Sequence, residues 1–224
     1  RHLEVVGPDV LGAWSLVIDG ATAAVVDSFE SVAVHLAGQV TQWVASEGRR
    51  FCYVHAGAVA ILGQAIVLPG HSGAGKSWLT AALVGAGAEY LSDEYALIDD
   101  DGWVHPYGRP IVLDSDHSTF EIVDPFSIGT VCSEAVAPGA VVMTEFAGEG
   151  TISSFGSPMS KEEALVALTP HVPSLAGNPA KAVSRLSVWS ARSQCYATKR
   201  GEAELFARLL LDFAEVVLSP EKNS

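Results

Sequence analysis

The chain has 224 residues, 49% hydrophobic and only 17% charged, which is enough for one domain of generous size with a real core. Its formal net charge of −13 repels phosphate backbones and disfavours nucleic acid as a partner. The longest apolar stretch, residues 56–69, contains glycines and Gln64 and is too short to span a bilayer, so no membrane partner is expected.

Cys52, Cys132 and Cys195 are isolated, odd in number and without metal-ligand spacing; they read as reduced thiols. The opening Arg1-His2-Leu3-Glu4 has no signal-like pattern, and with the thiols this suggests a cytoplasmic protein.

Residues 3–6 and 13–18 have the pattern of short strands, and Val25-Val26 reads as another short piece. From Ser28, an N-cap, a helical run carries Val32, Leu36, Val40, Trp43 and Val44 on its apolar positions and stops at Gly48. Residues 1–50 are therefore expected to be an N-terminal extension packed on the core, and 51–224 the main domain. Phe51 to Val54, His55 and Ala58 to Leu62 lead through Gly63-Gln64 into Ala65 to Leu68, a hairpin pattern.

Directly after that hairpin comes Gly70-His71-Ser72-Gly73-Ala74-Gly75-Lys76-Ser77, the G-x-x-x-x-G-K-S pattern of a P-loop. An apolar strand precedes it and the helical run Trp78 to Val84 follows, which is the context the motif requires. The glycines let successive backbone N–H groups converge on an anion, and the helix N-terminus adds partial positive charge. Gly70, Ser72, Gly73, Ala74 and Gly75 would form the phosphate cradle. Lys76 would reach the outer phosphates, and the Ser77 hydroxyl would ligate magnesium. His71, at a variable position of the motif, reads as exposed and incidental.

The helix closes at Gly85-Ala86-Gly87, and Glu89 to Ser92 is a strand ending at Asp93-Glu94. Tyr95 to Ile98 and Trp103 to His105 flank Asp99-Asp100-Asp101-Gly102, which reads as a hairpin turn rather than a calcium loop. Ile111 to Leu113 is apolar, and 114–138 is turn-rich. Ala140 to Phe146 is a strand, and Ser160 to Glu163 is a capping box opening a helix that ends before Pro170. Asn178-Pro179 starts another helix, Gln194 to Ala197 is a strand, and Glu202 to Leu218 is an amphipathic helix. Hairpins around a P-loop do not suit a purely parallel sheet, so an α/β fold with a mixed sheet is expected.

His55, the loop at 70–77 and Ser92-Asp93-Glu94 together resemble the C-terminal domain of HPr kinase/phosphorylase, most closely its shorter relatives. The intervals match without a gap: fifteen residues from His55 to Gly70 and seventeen from Lys76 to Asp93. The resemblance implies a fold shared with phosphoenolpyruvate carboxykinase, and ATP- and magnesium-dependent phosphorylation of a serine hydroxyl. It implies that Lys76 holds the β- and γ-phosphates, Ser77 ligates magnesium, and His55 lies beside the acceptor. Asp93 and Glu94 would supply the general base and a metal contact, with Asp93 as a magnesium ligand; which acid is the base stays open. Glu94 stands where the family has a second aspartate. Tyr107-Gly108-Arg109-Pro110 stands where the family has a glycine-rich segment with a magnesium-binding glutamate. Arg185, Arg192 and Arg200 are the candidates for a later catalytic arginine. Short relatives accompany peptide-modifying systems, including lasso peptide biosynthesis, so a peptide or protein hydroxyl is the expected acceptor. Family members can be homo-oligomers. The rival functions are a small-metabolite kinase and a non-catalytic nucleotide-binding sensor or assembly protein.

Overall fold

The computed structural model describes residues 2–71, 73–114, 120–148, 150–151 and 154–218, with Ser154, Gly156 and Ser157 described by their backbone alone. Ser72, expected in the phosphate cradle, lies outside the described residues. The chain divides into two compact units, Arg1–Val44 with Val112–Ile122, and Ala45–Ile111 with Val123–Ser224.

The first unit holds the antiparallel strands β1 (Leu3–Val6), β2 (Trp14–Ile18) and β3 (Ala21–Val26), followed by most of α1 (Phe29–Glu47). β3 is longer than the Val25-Val26 fragment read from the sequence. The reason is Asp19-Gly20, both at positive φ (51° and 84°), which closes a two-residue hairpin onto β2. The backbone N–H of Ser31 donates to Ser28 Oγ at 3.1 Å, the cap that starts α1. Trp14 meets Phe29 edge to face at 5.2 Å between ring centroids.

The second unit is built on an eight-stranded mixed sheet. Its elements in chain order begin with β4 (Cys52–Ile61), β5 (Gln64–Pro69), α2 (Lys76–Gly85), β6 (Glu89–Ser92), β7 (Tyr95–Ile98) and β8 (Val104–His105). The pair β9 (Ile111–Asp114) and β10 (Phe120–Val123), which falls mainly in the first unit, forms a separate small sheet; in the second unit α3 (Pro125–Ile128) is one turn. Then come β11 (Ala137–Phe146), β12 (Ser154–Pro158), α4 (Lys161–Leu168), two single 3-10 turns (Thr169–His171 and Pro173–Leu175), α5 (Pro179–Arg192), β13 (Gln194–Arg200) and α6 (Ala203–Leu218).

The strand order is β12-β13-β11-β5-β4-β7-β8, with β6 also paired to β4. β5, β11 and β13 are mutually parallel, whereas β4 runs antiparallel to β5, β6 and β7. The expected mixed sheet is therefore present. The hairpin between β4 and β5 turns at Leu62 and Gly63, both at positive φ, the geometry of a two-residue turn whose twist matches its strands.

Alternation along β4 sets the two layers. Cys52, Val54, Ala56, Ala58 and Ala60 join a buried cluster with Ala164 and Leu168 of α4 and Ala182, Leu186 and Trp189 of α5. The intervening positions face the other way, toward α2. A Cβ at Gly57 would lie 2.3 Å from Thr80 Oγ1 of α2, so only glycine allows the helix to approach this closely. His55 is on that same set of alternating positions.

The expected caps are present. Ser160 and Glu163 form a reciprocal capping box, and the Asn178 side chain accepts from the Lys181 backbone N–H. Two of the arginines left open by the sequence serve α5 as structural ties. Arg185 donates from Nε to Asp100 Oδ1 at 2.7 Å and from Nη2 to the Arg49 carbonyl at 3.2 Å, while Arg192 donates to the Asp101 carbonyl. Both fasten the β7–β8 turn to α5. Among the described residues, no helix is long and apolar enough to cross a membrane, and Cys52, Cys132 and Cys195 are unpaired.

Candidate active site

Register brings three sequence-distant features to one level of the sheet. Pro69, the last residue of β5, is opposite Ala56 on β4, so the chain leaves β5 for the P-loop beside His55. On the other side of β4, β6 and β7 keep one register, with Ser92 opposite Ala58 and Tyr95 opposite His55. Between them the backbone bends at Asp93-Glu94. Ser92 Oγ accepts from the backbone N–H groups of Glu94 (3.3 Å) and Tyr95 (3.1 Å), and the Glu94 carbonyl accepts from the Ala56 N–H at 3.1 Å. In an unbroken strand adjacent carboxylates would point to opposite faces. The bend removes that constraint, and both act on Lys76.

The loop itself has the glycine geometry expected of it. Gly73 and Gly75 have φ of 79° and 70°, a left-handed conformation suited to glycine. Gly75 is the N-cap residue of α2, and no side chain caps that helix. Lys76 is buried at 8% exposure, its Nζ donating to the Gly70 and His71 carbonyls at 2.9 Å each. Burial pulls its pKa down to about 8, against the opposing attraction of Asp93 and Glu94.

Arg200 backs the loop from the end of β13. Its Nη2 donates to the Ala74 carbonyl at 2.6 Å and the Gly75 carbonyl at 3.0 Å, and its guanidinium lies over the Phe146 ring at 5.3 Å. In a planar trans peptide the N–H points opposite to the preceding C=O. By holding those two carbonyls, Arg200 turns the N–H groups of Gly75 and Lys76 away from itself, as an anion cradle needs. A Cβ on Gly75 would come within 2.6 Å of the same Nη2, so space and φ both demand glycine there. Among the described residues, Arg200 is the one of the three candidate arginines that touches the loop.

The acidic pair is asymmetric. Asp93 is buried, with the Tyr90 hydroxyl 3.3 Å from its Oδ1; that hydroxyl also lies 2.9 Å from the Arg109 carbonyl. Glu94 is half-buried and pairs with Arg109 Nη1 at 2.5 Å. Burial raises Glu94 to about 7, with Arg109 opposing and Asp93 adding to the rise. Arg109 comes from Tyr107-Gly108-Arg109-Pro110, the segment between β8 and β9. Nothing local marked Tyr90.

His55 packs against Tyr95 at 5.5 Å between ring centroids. Burial, then Lys76 and the imidazoles of His171 and His71, pushes His55 down to about 4, so it is neutral near pH 7. His171 was not anticipated. It sits in the first 3-10 turn after α4, with its ring 5.0 Å from that of His71.

The depressed His55 pKa fixes the sign of its effect on stability. The unfolded chain, with histidine near 6.5, binds more protons than the folded chain between pH 6.5 and 4, so His55 makes stability fall as pH drops through that window. Glu94, raised in the folded state, acts in the opposite sense between about 7 and 4.5. Comparison with a variant isolates the histidine. His55→Gln is expected to lose less stability than wild type between pH 7.5 and 5, measured by urea unfolding. One proton corresponds to a slope of up to about 1.4 kcal/mol per pH unit. Identical slopes would mean His55 is not held neutral.

The fold is α/β, with a glycine-rich G-x-x-x-x-G-K-S loop between the hairpin of β4 and β5 and the helix α2. No protein-family model matches the chain, and no curated protein matches it in sequence. Among solved structures it is similar to the HPr(Ser) kinase/phosphatase from Coxiella burnetii, at 12% identity and a TM-score of 0.39, covering 75% of this chain and 99% of that one.

Proposed function

We propose that this chain is an ATP- and magnesium-dependent phosphotransferase that moves the γ-phosphate to a hydroxyl, most readily a serine of a peptide or protein. The observation that supports it is a buried P-loop lysine, Lys76, acted on by the two carboxylates of Asp93 and Glu94 at the bend beside it. The residues fit the groups involved. The uncapped N-terminus of α2 and the positive-φ glycines suit a phosphate chain. Ser77 and Asp93 are hard oxygen donors of the kind magnesium shares with phosphates.

Magnesium, when bound by Ser77 and Asp93, supplies charge neutralisation between phosphate oxygens. Lys76 exchanges the Gly70 and His71 carbonyls for the outer phosphates. Glu94 is the general base: its raised pKa matches proton transfer near neutrality, and it is the less buried acid. As the acceptor oxygen bonds to the γ-phosphorus, the bond to the β-phosphate oxygen breaks and the hydroxyl proton passes to Glu94. Neutral His55 lies beside that position and can accept or donate a hydrogen bond without adding charge. The acidic surface favours encounter with basic peptides.

The test is incubation with ATP, magnesium and a panel of serine-containing peptides and small hydroxyl compounds, read by mass spectrometry. A gain of one phosphate on peptides supports the proposal, and labelling of small compounds alone moves it to a metabolite kinase. ADP bound tightly with no acceptor labelled would indicate a nucleotide sensor and overturn the transfer chemistry. The Glu94–Arg109 ion pair, which occupies the carboxylate, is the observation on that side.

A further inference from the structure

We propose that His171 is a phosphate-binding residue, a second cation beside Lys76 that forms when the phosphate chain arrives. The inference rests on the P-loop reading above and adds a residue to it from a distant part of the chain.

His171 ends the single 3-10 turn that follows α4, and it is 5% exposed. Its ring meets that of His71, the second residue of the P-loop, at 5.0 Å and an interplanar angle of 49°. The carbonyl of that same His71 holds the Lys76 ammonium at 2.9 Å. An imidazole from another segment is thus packed onto the stretch of loop where the lysine is parked. The chain has seven histidines; two of them, His55 and His171, feel the charge of Lys76, whose ammonium is held by the carbonyl of a third, His71. A core histidine would be expected to pack on apolar groups; this one packs its ring on another imidazole and feels the charge of Lys76.

The ionisable neighbours of His171 are His71 from the loop, Lys76 from α2 and His55 from β4. The acids of α4, Glu162 and Glu163, lie in its first turn, at the end away from His171. Among the described residues, the groups that act on His171 are histidine and lysine side chains; the carboxylates of Asp93 and Glu94 act on Lys76. Burial, then His71 and Lys76, holds His171 below the ordinary histidine range. A phosphate chain on the loop reverses the sign of the local field, and the imidazole that was disfavoured as a cation becomes favoured as one. The proton comes from solvent, and a charge-assisted hydrogen bond to phosphate oxygen follows. The charge appears only when its partner is present, which avoids an uncompensated buried cation in the empty site.

The test compares wild type with His171→Gln, which keeps a hydrogen-bonding side chain but cannot be charged. Affinity for magnesium-free inorganic pyrophosphate and for ADP is measured by calorimetry at pH 6 and pH 8.5. His171→Gln is expected to weaken binding about tenfold at pH 6 and far less at pH 8.5. Any ligand protonation is common to both proteins and cancels. In wild type, the His171 ring-proton resonance should shift toward the imidazolium position at pH 6.5 on adding pyrophosphate; this measurement stands even if the variant folds poorly. An equal loss at both pH values, or a His171 resonance that does not move, overturns the inference and leaves the P-loop reading intact. Failure of wild type to bind either ligand overturns both.

Discussion

Lys76→Met is expected to abolish acceptor labelling and to weaken ADP binding by at least about a hundredfold, while leaving the melting temperature unchanged or higher. The two halves of that result have different causes. Binding falls because the ammonium is the charged donor that the cradle aims at the outer phosphates, and labelling falls with it, since the loss of one such preorganised donor costs about 10²–10³ in rate. Stability does not fall, because Lys76 is buried and its depressed pKa records a charge held at a cost. Methionine fills a similar volume and relieves the desolvation penalty that the depressed pKa records, which offsets the loss of the two carbonyl hydrogen bonds. Asp93 and Glu94 do lose a nearby cation, but Glu94 keeps Arg109. Calorimetry with ADP and a thermal melt on the same sample read both outcomes. Wild-type affinity in the variant would sink the P-loop assignment.

Glu94→Gln is expected to lower kcat by about 10²–10⁴, the range typical of removing a general base, with ADP affinity within about threefold of wild type. The amide preserves shape and can still accept from Arg109, so the local bend held by Ser92 and Ala56 should survive. Asp93→Asn is the necessary comparison. If Asp93 is the magnesium ligand, its variant should raise the magnesium concentration needed for half-maximal rate, whereas Glu94→Gln should not. Steady-state kinetics across a magnesium series separates the two. The opposite pattern would exchange the roles of the two acids.

Much of the site was legible because its parts are local in the sheet. The loop leaves β5 directly, His55 is on the strand hairpinned to β5, and Asp93-Glu94 ends the strand that follows α2. Short connections bring consecutive elements side by side, so their spacing in sequence carries spatial information. The bend at the acidic pair was a condition the sequence could state but not resolve, and Ser92 is what supplies it. In the first unit, Asp19-Gly20 is a strong hairpin signal that extends β3 to Ala21; reading only the apolar pair Val25-Val26 shortened it.

The residues that complete the site were illegible for the converse reason. Arg200 reaches the loop only because β13 lies parallel to β11, and β11 to β5, a pairing made by crossovers through distant segments. Arg185, Arg192 and Arg200 are alike in sequence. Tertiary contacts send two of them to the β7–β8 turn and one to the P-loop carbonyls. Arg109 and His171 come from irregular segments, where no periodicity predicts which way a side chain faces. His71 read as incidental because its neighbour across the gap, His171, is far along the chain.

The sequence by itself determined the glycine-rich loop between strand and helix, the mixed α/β class and the hairpin that leads into the loop, because glycine conformations, strand alternation and hairpin lengths are local physics. Only the tertiary structure decided which arginine backs the loop, that Arg109 pairs with Glu94, and that His55 and His171 feel the charge of Lys76. Those choices depend on burial and on charges brought together by parallel strands, and neither is written in any short stretch of the chain.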